Sequence, residues 1–163
     1  MSPNASPAAE PVWRPMGAAD LARVQVIADI VHVDHPERAE VFANRLALFP
    51  AGCLMAAGGG GYCLAHPGRL GWAPALDTVL DRLPADPDCL YLHDLALLPQ
   101  ARGLGLGRAA VADLARVARA NGLPRIALTA VGESPAFWAG LGFIETGKGG
   151  ASYGTALAMV LKL

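Results

Sequence analysis

The run Leu97-Leu98-Pro99-Gln100-Ala101-Arg102-Gly103-Leu104-Gly105-Leu106-Gly107-Arg108 joins an apolar strand to a helix through three glycines set two apart. A strand that turns through glycines into a helix N-terminus makes an anion cradle. Glycine lets the main chain approach a ligand closely. The first N–H groups of a helix have no partner inside it, and the helix dipole favours negative charge. The chemistry offered is the holding of a pyrophosphate. Just before the cradle stand His93 and Asp94, an imidazole and a carboxylate suited to moving a proton. Strand alternation sends these two to opposite faces. Asp94 reads either as a general base or as a buried carboxylate fixing the loop. His93 reads either as a second catalytic group or as a satisfied core histidine.

Three cradles compete for the loop. A phosphate loop of the Walker type ends in Gly-Lys-Ser/Thr, whereas Gly107 is followed by Arg108-Ala109-Ala110. Neither the phosphate-binding lysine nor the metal-binding hydroxyl is present. A dinucleotide fingerprint needs G-x-G-x-x-G, and the spacing here is G-x-G-x-G. The third pattern is R-x-x-G-x-G, met by Arg102 through Gly107. It is accompanied by Ser134-Pro135-Ala136-Phe137-Trp138-Ala139-Gly140-Leu141-Gly142-Phe143, one helix and one strand later. Together the two segments resemble the acyl-CoA motif and the later aromatic segment of the GNAT superfamily of N-acetyltransferases.

The resemblance implies transfer of an acetyl group from acetyl-CoA to a primary amine of a small molecule or of a peptide or protein. Main-chain N–H groups of Arg102, Gly103, Leu104, Gly105, Leu106, Gly107 and Arg108 would hold the pyrophosphate. Ala96, Leu97 and Leu98 match the splayed strand that pairs with the pantetheine arm. The Leu97 N–H is expected to meet the thioester carbonyl, where negative charge develops. Asp94 stands where family members often carry a carboxylate. Many members also place a tyrosine four residues before the glycine of Gly-Phe, as acid for the departing thiol. Here that residue is Trp138, which reads as packing, and Ser134 and Tyr153 are the expected substitutes. The other reading of the chain is a non-catalytic acyl-CoA-binding sensor or regulatory module.

These residues need a mixed sheet to position them. Strand patterns cover Val12–Met16, Cys53–Ala57, Gly61–His66, Leu90–Leu98, Ile126–Val131, Phe143–Thr146 and Ala156–Leu163. Helical patterns follow Asp20 up to Val31, run from Pro36 to Leu48, cover residues 107–121, and run from Ser134 to Leu141. A further short helix is expected near Leu76–Leu83, within the connection 67–88. The class is α/β (α+β): a mixed, mostly antiparallel central sheet with a splayed strand pair and flanking helices. The joint His32-Val33-Asp34-His35 has the ligand density of a metal site but no further ligand nearby. It is expected to border the acceptor, with Tyr62 and His66 walling the same cleft, and no metal is expected.

Composition sets the frame. The chain has 163 residues, 53% hydrophobic and 17% charged, with net charge −1. One domain over residues 12–163 is expected, after a leader at 1–11 whose Ser, Pro, Ala and Asn read as disordered. No basic stripe argues for nucleic acid. No apolar run reaches the ~18 residues of a membrane span. Three cysteines without a C-x-x-C pair read as buried free thiols, and the expected compartment is the cytoplasm. The apolar closing strands would permit a homodimer.

Overall fold

The computed structural model describes residues 12–150 and 154–163. Its elements run β1 (Trp13–Pro15), α1 (Leu21–Val31), α2 (Ala39–Leu48), β2 (Cys53–Ala56), β3 (Gly61–Gly68), β4 (Cys89–Leu97), α3 (Leu106–Ala120), β5 (Arg125–Ala130), α4 (Ser134–Gly140), β6 (Ile144–Lys148) and β7 (Leu157–Lys162). The seven strands form one sheet in the order β1-β2-β3-β4-β5-β7-β6. Every neighbouring pair is antiparallel except β4 and β5.

Both faces of the sheet are apolar. On one, Leu90, Leu92, Ile126 and Leu128 pack with Leu114 and Ala118 of α3 and Trp138 of α4. On the other, Met55, Tyr62, Leu64 and Ala96 pack with Val24 and Ile27 of α1 and Phe42 of α2. The helix α3 shows why the sequence folds this way. Ala110, Val111, Leu114, Ala115 and Ala118 make one buried stripe, while Arg116 and Arg119 fall outside it. The C-terminal strand β7 lies between β5 and β6, so its apolar residues are used inside the sheet. The outer strand there is β6, exposed along its whole length.

Two irregularities in β4 create the site. The parallel ladder to β5 ends at the pair Leu92–Leu128, although β4 runs on to Leu97 and β5 to Ala130. The two strands part there. On the other side, Leu64 of β3 pairs with Asp94 while the next residue, Ala65, pairs with Leu92. His93 is therefore the extra residue of a β-bulge, which re-aims the side chains beyond it.

The connection between β3 and β4 contains no helix at Leu76–Leu83. Around Asp77 and Leu80 its polar groups bond to α2 and the segment before it. Asn44 exchanges two bonds of 2.9 Å with the main chain of Leu80. The Arg38 N–H donates to Asp77 at 2.7 Å, which keeps Arg38 extended and delays the start of α2 from Pro36 to Ala39. Asp77 itself takes a left-handed φ of 58°.

Candidate active site

The loop places its glycines in two different local settings. Gly103 and Gly105 have φ of 75° and 78°, a region that side chains disfavour. Gly107 is inside α3, and there the neighbour is the half-exposed Phe137 ring. A Cβ on it would lie 2.5 Å from the Phe137 ring. No side chain caps the N-terminus of α3, so its first N–H groups stay available to an anion. The Trp13 indole anchors this end by donating to the Leu106 carbonyl at 2.9 Å. Arg102 and Arg108 line the cleft beside it, whereas the Leu104 side chain is 72% exposed and points away.

A cleft of about 680 Å³ runs from this loop into the gap between β4 and β5. The main chain of β4 presents alternate residues to that gap. The Leu98 N–H donates to the Gly60 carbonyl on the β3 side at 2.8 Å. Alternation turns Ala96 the same way, and turns Leu97 and Leu95 towards the gap. The Leu97 carbonyl there accepts from Arg102 Nε at 3.2 Å.

At the far end of the same cleft two acid–imidazole pairs lie side by side. Asp94 Oδ1 accepts from His32 Nε2 at 2.6 Å, and Asp94 Oδ2 accepts from the Tyr62 hydroxyl. Glu37 Oε1 meets His93 Nε2 at 2.8 Å, and Glu37 Oε2 accepts the Asp77 N–H at 3.0 Å. The Asp94, Glu37 and His93 side chains are nearly sealed, while His32 keeps 24% of its side-chain surface. His93 and Asp94 do not point to opposite faces, as plain alternation required. Both reach the joint between α1 and α2, because the bulge at His93 inserts a residue between the two halves of the pattern.

Charge follows from this packing. Burial works against a charge on His32, but the Asp94 carboxylate and the more distant Glu37 outweigh it, so His32 holds its proton above the usual imidazole value. Burial alone would raise Asp94. The pull of His32 and His93 and the Tyr62 hydrogen bond hold it below the usual carboxylate range. Burial, then the charge of Asp94, push the Tyr62 hydroxyl well above its ordinary value, and it stays a donor.

Of the remaining expected residues, Ser134 lines the cleft and donates to the Val131 carbonyl at 2.6 Å. Tyr153 lies outside the described residues, as does the 1–11 leader. Trp138 is buried, its ring 5.4 Å from Phe143, and it serves packing. From the α1–α2 joint, His32 and His35 line the cleft and Asp34 is exposed. Tyr62 sits beneath Asp94 and does not form the wall. His66 lies away from the cleft, against Trp72 and Tyr91. Sequence reasoning missed Glu37. It follows a proline in a polar joint, and no spacing marks it.

A family model described as the acetyltransferase (GNAT) family matches residues 32–143. No curated protein matches the sequence. Among solved structures, the NatC complex bound to Gag peptide and CoA contains a chain with TM-score 0.72 and 18% identity, over 93% of this chain and 98% of that one. The PaiA N-acetyltransferase from Thermoplasma acidophilum, in complex with coenzyme A, gives 0.68 and 14%, over 93% and 98%. The GNAT-like decarboxylase GphF in complex with isobutyryl-CoA gives 0.74 and 15%, over 92% and 98%. At these identities the structures establish the shared fold.

Proposed function

The chain belongs to the acetyltransferase (GNAT) family and is an acetyl-CoA-dependent acyltransferase; we propose that it acetylates a primary amine, carried by a small molecule or a peptide, at the junction of the β4–β5 gap and the His32–Asp94 pair. The observation that carries this reading is a single cleft holding both an anion cradle and, at its other end, buried acid–imidazole pairs. A sensor of acyl-CoA needs only the cradle. The polar end favours chemistry.

The residues present fit acyl-CoA. The N–H groups from Gly103 to Arg108 would take the pyrophosphate, with Arg102 and Arg108 adding charge. The Leu97 N–H faces the gap and would stabilise the negative charge that develops on the thioester oxygen. Acetyl-CoA supplies the activated acetyl group. The protein's larger contribution is to align the amine with it and exclude water. A second cavity, of about 530 Å³, shares Leu128 and Thr129 with the first. NatC with its Gag peptide keeps a peptide amine among the candidates. The three buried free thiols support a reducing compartment such as the cytoplasm.

Titration calorimetry with acetyl-CoA, followed by thiol release across a panel of primary amines and N-terminal peptides, tests this reading. Saturable binding and acceptor-dependent thiol release are expected. Binding without release for any amine would leave a sensor, and no binding would overturn the cradle.

A further inference from the structure

We propose that His32 is the group that takes the proton from the acceptor amine, with Asp94 and Tyr62 as positioning residues. The proposal rests on acetyl transfer to an amine, and it names the base for that reaction. Asp94 occupies the expected place, but both of its oxygens are occupied and its side chain is only 8% exposed. As a base it would take its proton from within the packing between His32 and Tyr62, with little of its surface open to the cleft. Glu37 is likewise bound at both oxygens, to His93 and to the Asp77 N–H. His93 is 1% exposed. Among these groups only His32 combines a place on the cleft with a ring that is partly open.

Its placement suits the role from three sides. Asp94 takes the proton on Nε2, which fixes the tautomer and leaves the Nδ1 lone pair as acceptor. Tyr62 donates to the second oxygen of Asp94 and so holds the carboxylate ionised and in line. His32 is also the residue that ends α1, its N–H bonded to the Ala28 carbonyl at 2.8 Å, so the negative end of the helix dipole favours an imidazolium there. The charged and titratable groups around it are Asp94, Glu37 and Tyr62, with His93 beyond Asp94, and His35, which lines the same cleft and gives its main-chain N–H to the His32 carbonyl at 3.1 Å. This is the logic of a base oriented by a buried acid, built between a helix end and a strand bulge.

The step balances simply. An acceptor ammonium gives one proton to His32 Nδ1, and its nitrogen forms the C–N bond to the acetyl carbon. As the C–S bond breaks, the nitrogen loses its second surplus proton and the departing thiolate gains one. His32 then releases its proton to solvent. The products are the amide, free CoA thiol and one proton.

Two measurements decide the matter. In the wild-type protein, NMR titration is expected to show His32 titrating above 6.5, and Asp94→Asn is expected to bring it below that value. In turnover with whichever panel amine the wild type accepts, His32→Gln is expected to lower kcat by about 100-fold or more, the usual worth of a general base, with KM for acetyl-CoA within twofold. Asp94→Asn should move the acid limb of the kcat–pH profile to lower pH, a shift that a merely structural residue would not cause. Tyr62→Phe, which leaves the His32–Asp94 contact in place, should retain more activity than either. Turnover by His32→Gln at near wild-type rate, or an acid limb that Asp94→Asn does not move, would overturn the assignment while leaving acetyl transfer intact. Absence of turnover in the wild type with every amine would reject acetyl transfer, and the base with it.

Discussion

Replacing Gly103 and Gly105 together by alanine separates the shape of the cradle from its chemistry. Both residues are left-handed, at φ 75° and 78°, and an added Cβ meets nothing within 4 Å at either position. Alanine therefore brings no clash, and its cost is conformational. A left-handed L-residue costs ~1–2 kcal/mol, and a stiffer unfolded chain returns ~0.4–1 kcal/mol. The net is roughly 1 kcal/mol per site, and roughly 2 for the pair when each left-handed residue carries its own cost. This total can appear in two places. If the free protein keeps the loop, the loss is in stability, a fall in Tm of about 4–8 °C for a chain of this size. If the free loop relaxes and only the complex needs it, acetyl-CoA binds roughly 30-fold more weakly. Urea unfolding without ligand and calorimetric titration with acetyl-CoA measure the two parts, and their sum should be roughly 2 kcal/mol. A variant that matches the wild type in both would refute the reasoning, because the left-handed turn would then be neither built in nor needed.

Three further outcomes follow from the packing. Gly107→Ala should leave Tm unchanged or raise it, since alanine favours a helix by ~1 kcal/mol and the half-exposed Phe137 ring can swing aside; a clear fall in Tm would show that ring to be fixed. Tyr62→Phe leaves Asp94 Oδ2 buried without its donor, and urea unfolding should show a loss of about 1–3 kcal/mol, with Asp94 titrating higher than in the wild type. His66 should make stability fall between pH 6.5 and 4. Burial, with His93 and Arg45 nearby, lowers its pKa to about 4, and its buried Nε2 has no hydrogen-bond partner. A depressed folded pKa means that stability is complete above the unfolded value and is lost as pH falls towards the folded one. The loss reaches roughly 3 kcal/mol at ~1.36 kcal/mol per unit, and His66→Asn should flatten that part of the curve.

The strand–glycine loop–helix unit was legible because its constraints are local. Gly103 and Gly105 answer to φ, and the strand and helix flanking them carry their own periodicities. A reader of the sequence needs only the twelve residues from Leu97 to Arg108 and the segment that packs on them. The helix α1, the hairpin β2–β3 and the amphipathic α3 were legible for the same reason. The expected helix at Leu76–Leu83 failed where the local rule lost to tertiary bonds. Asn44 and Arg38 take the polar groups that a helix would have paired internally.

The acid–imidazole end resisted reading for a physical reason. Its four ionisable members come from the α1–α2 joint and from β4, and their meeting depends on one unpaired residue. With regular alternation His93 and Asp94 would diverge, and one of them would leave the joint. The bulge keeps both on it, so Asp94 meets His32 while His93 meets Glu37. The carboxylate of each pair also draws a bond from a second segment, Asp94 from β3 through Tyr62 and Glu37 from the long connection through the Asp77 N–H. The same strand parts from β5 just where the bulge occurs, since its last parallel pair is at Leu92. The opening beside β5 and the irregularity that aims the acid–imidazole pairs are thus consecutive features of β4. A bulge unpairs one residue towards β3, and the splay unpairs the main chain towards β5. Together they put the Leu97 N–H and the His32 ring on one cleft, and a period-2 pattern contains the signature of neither.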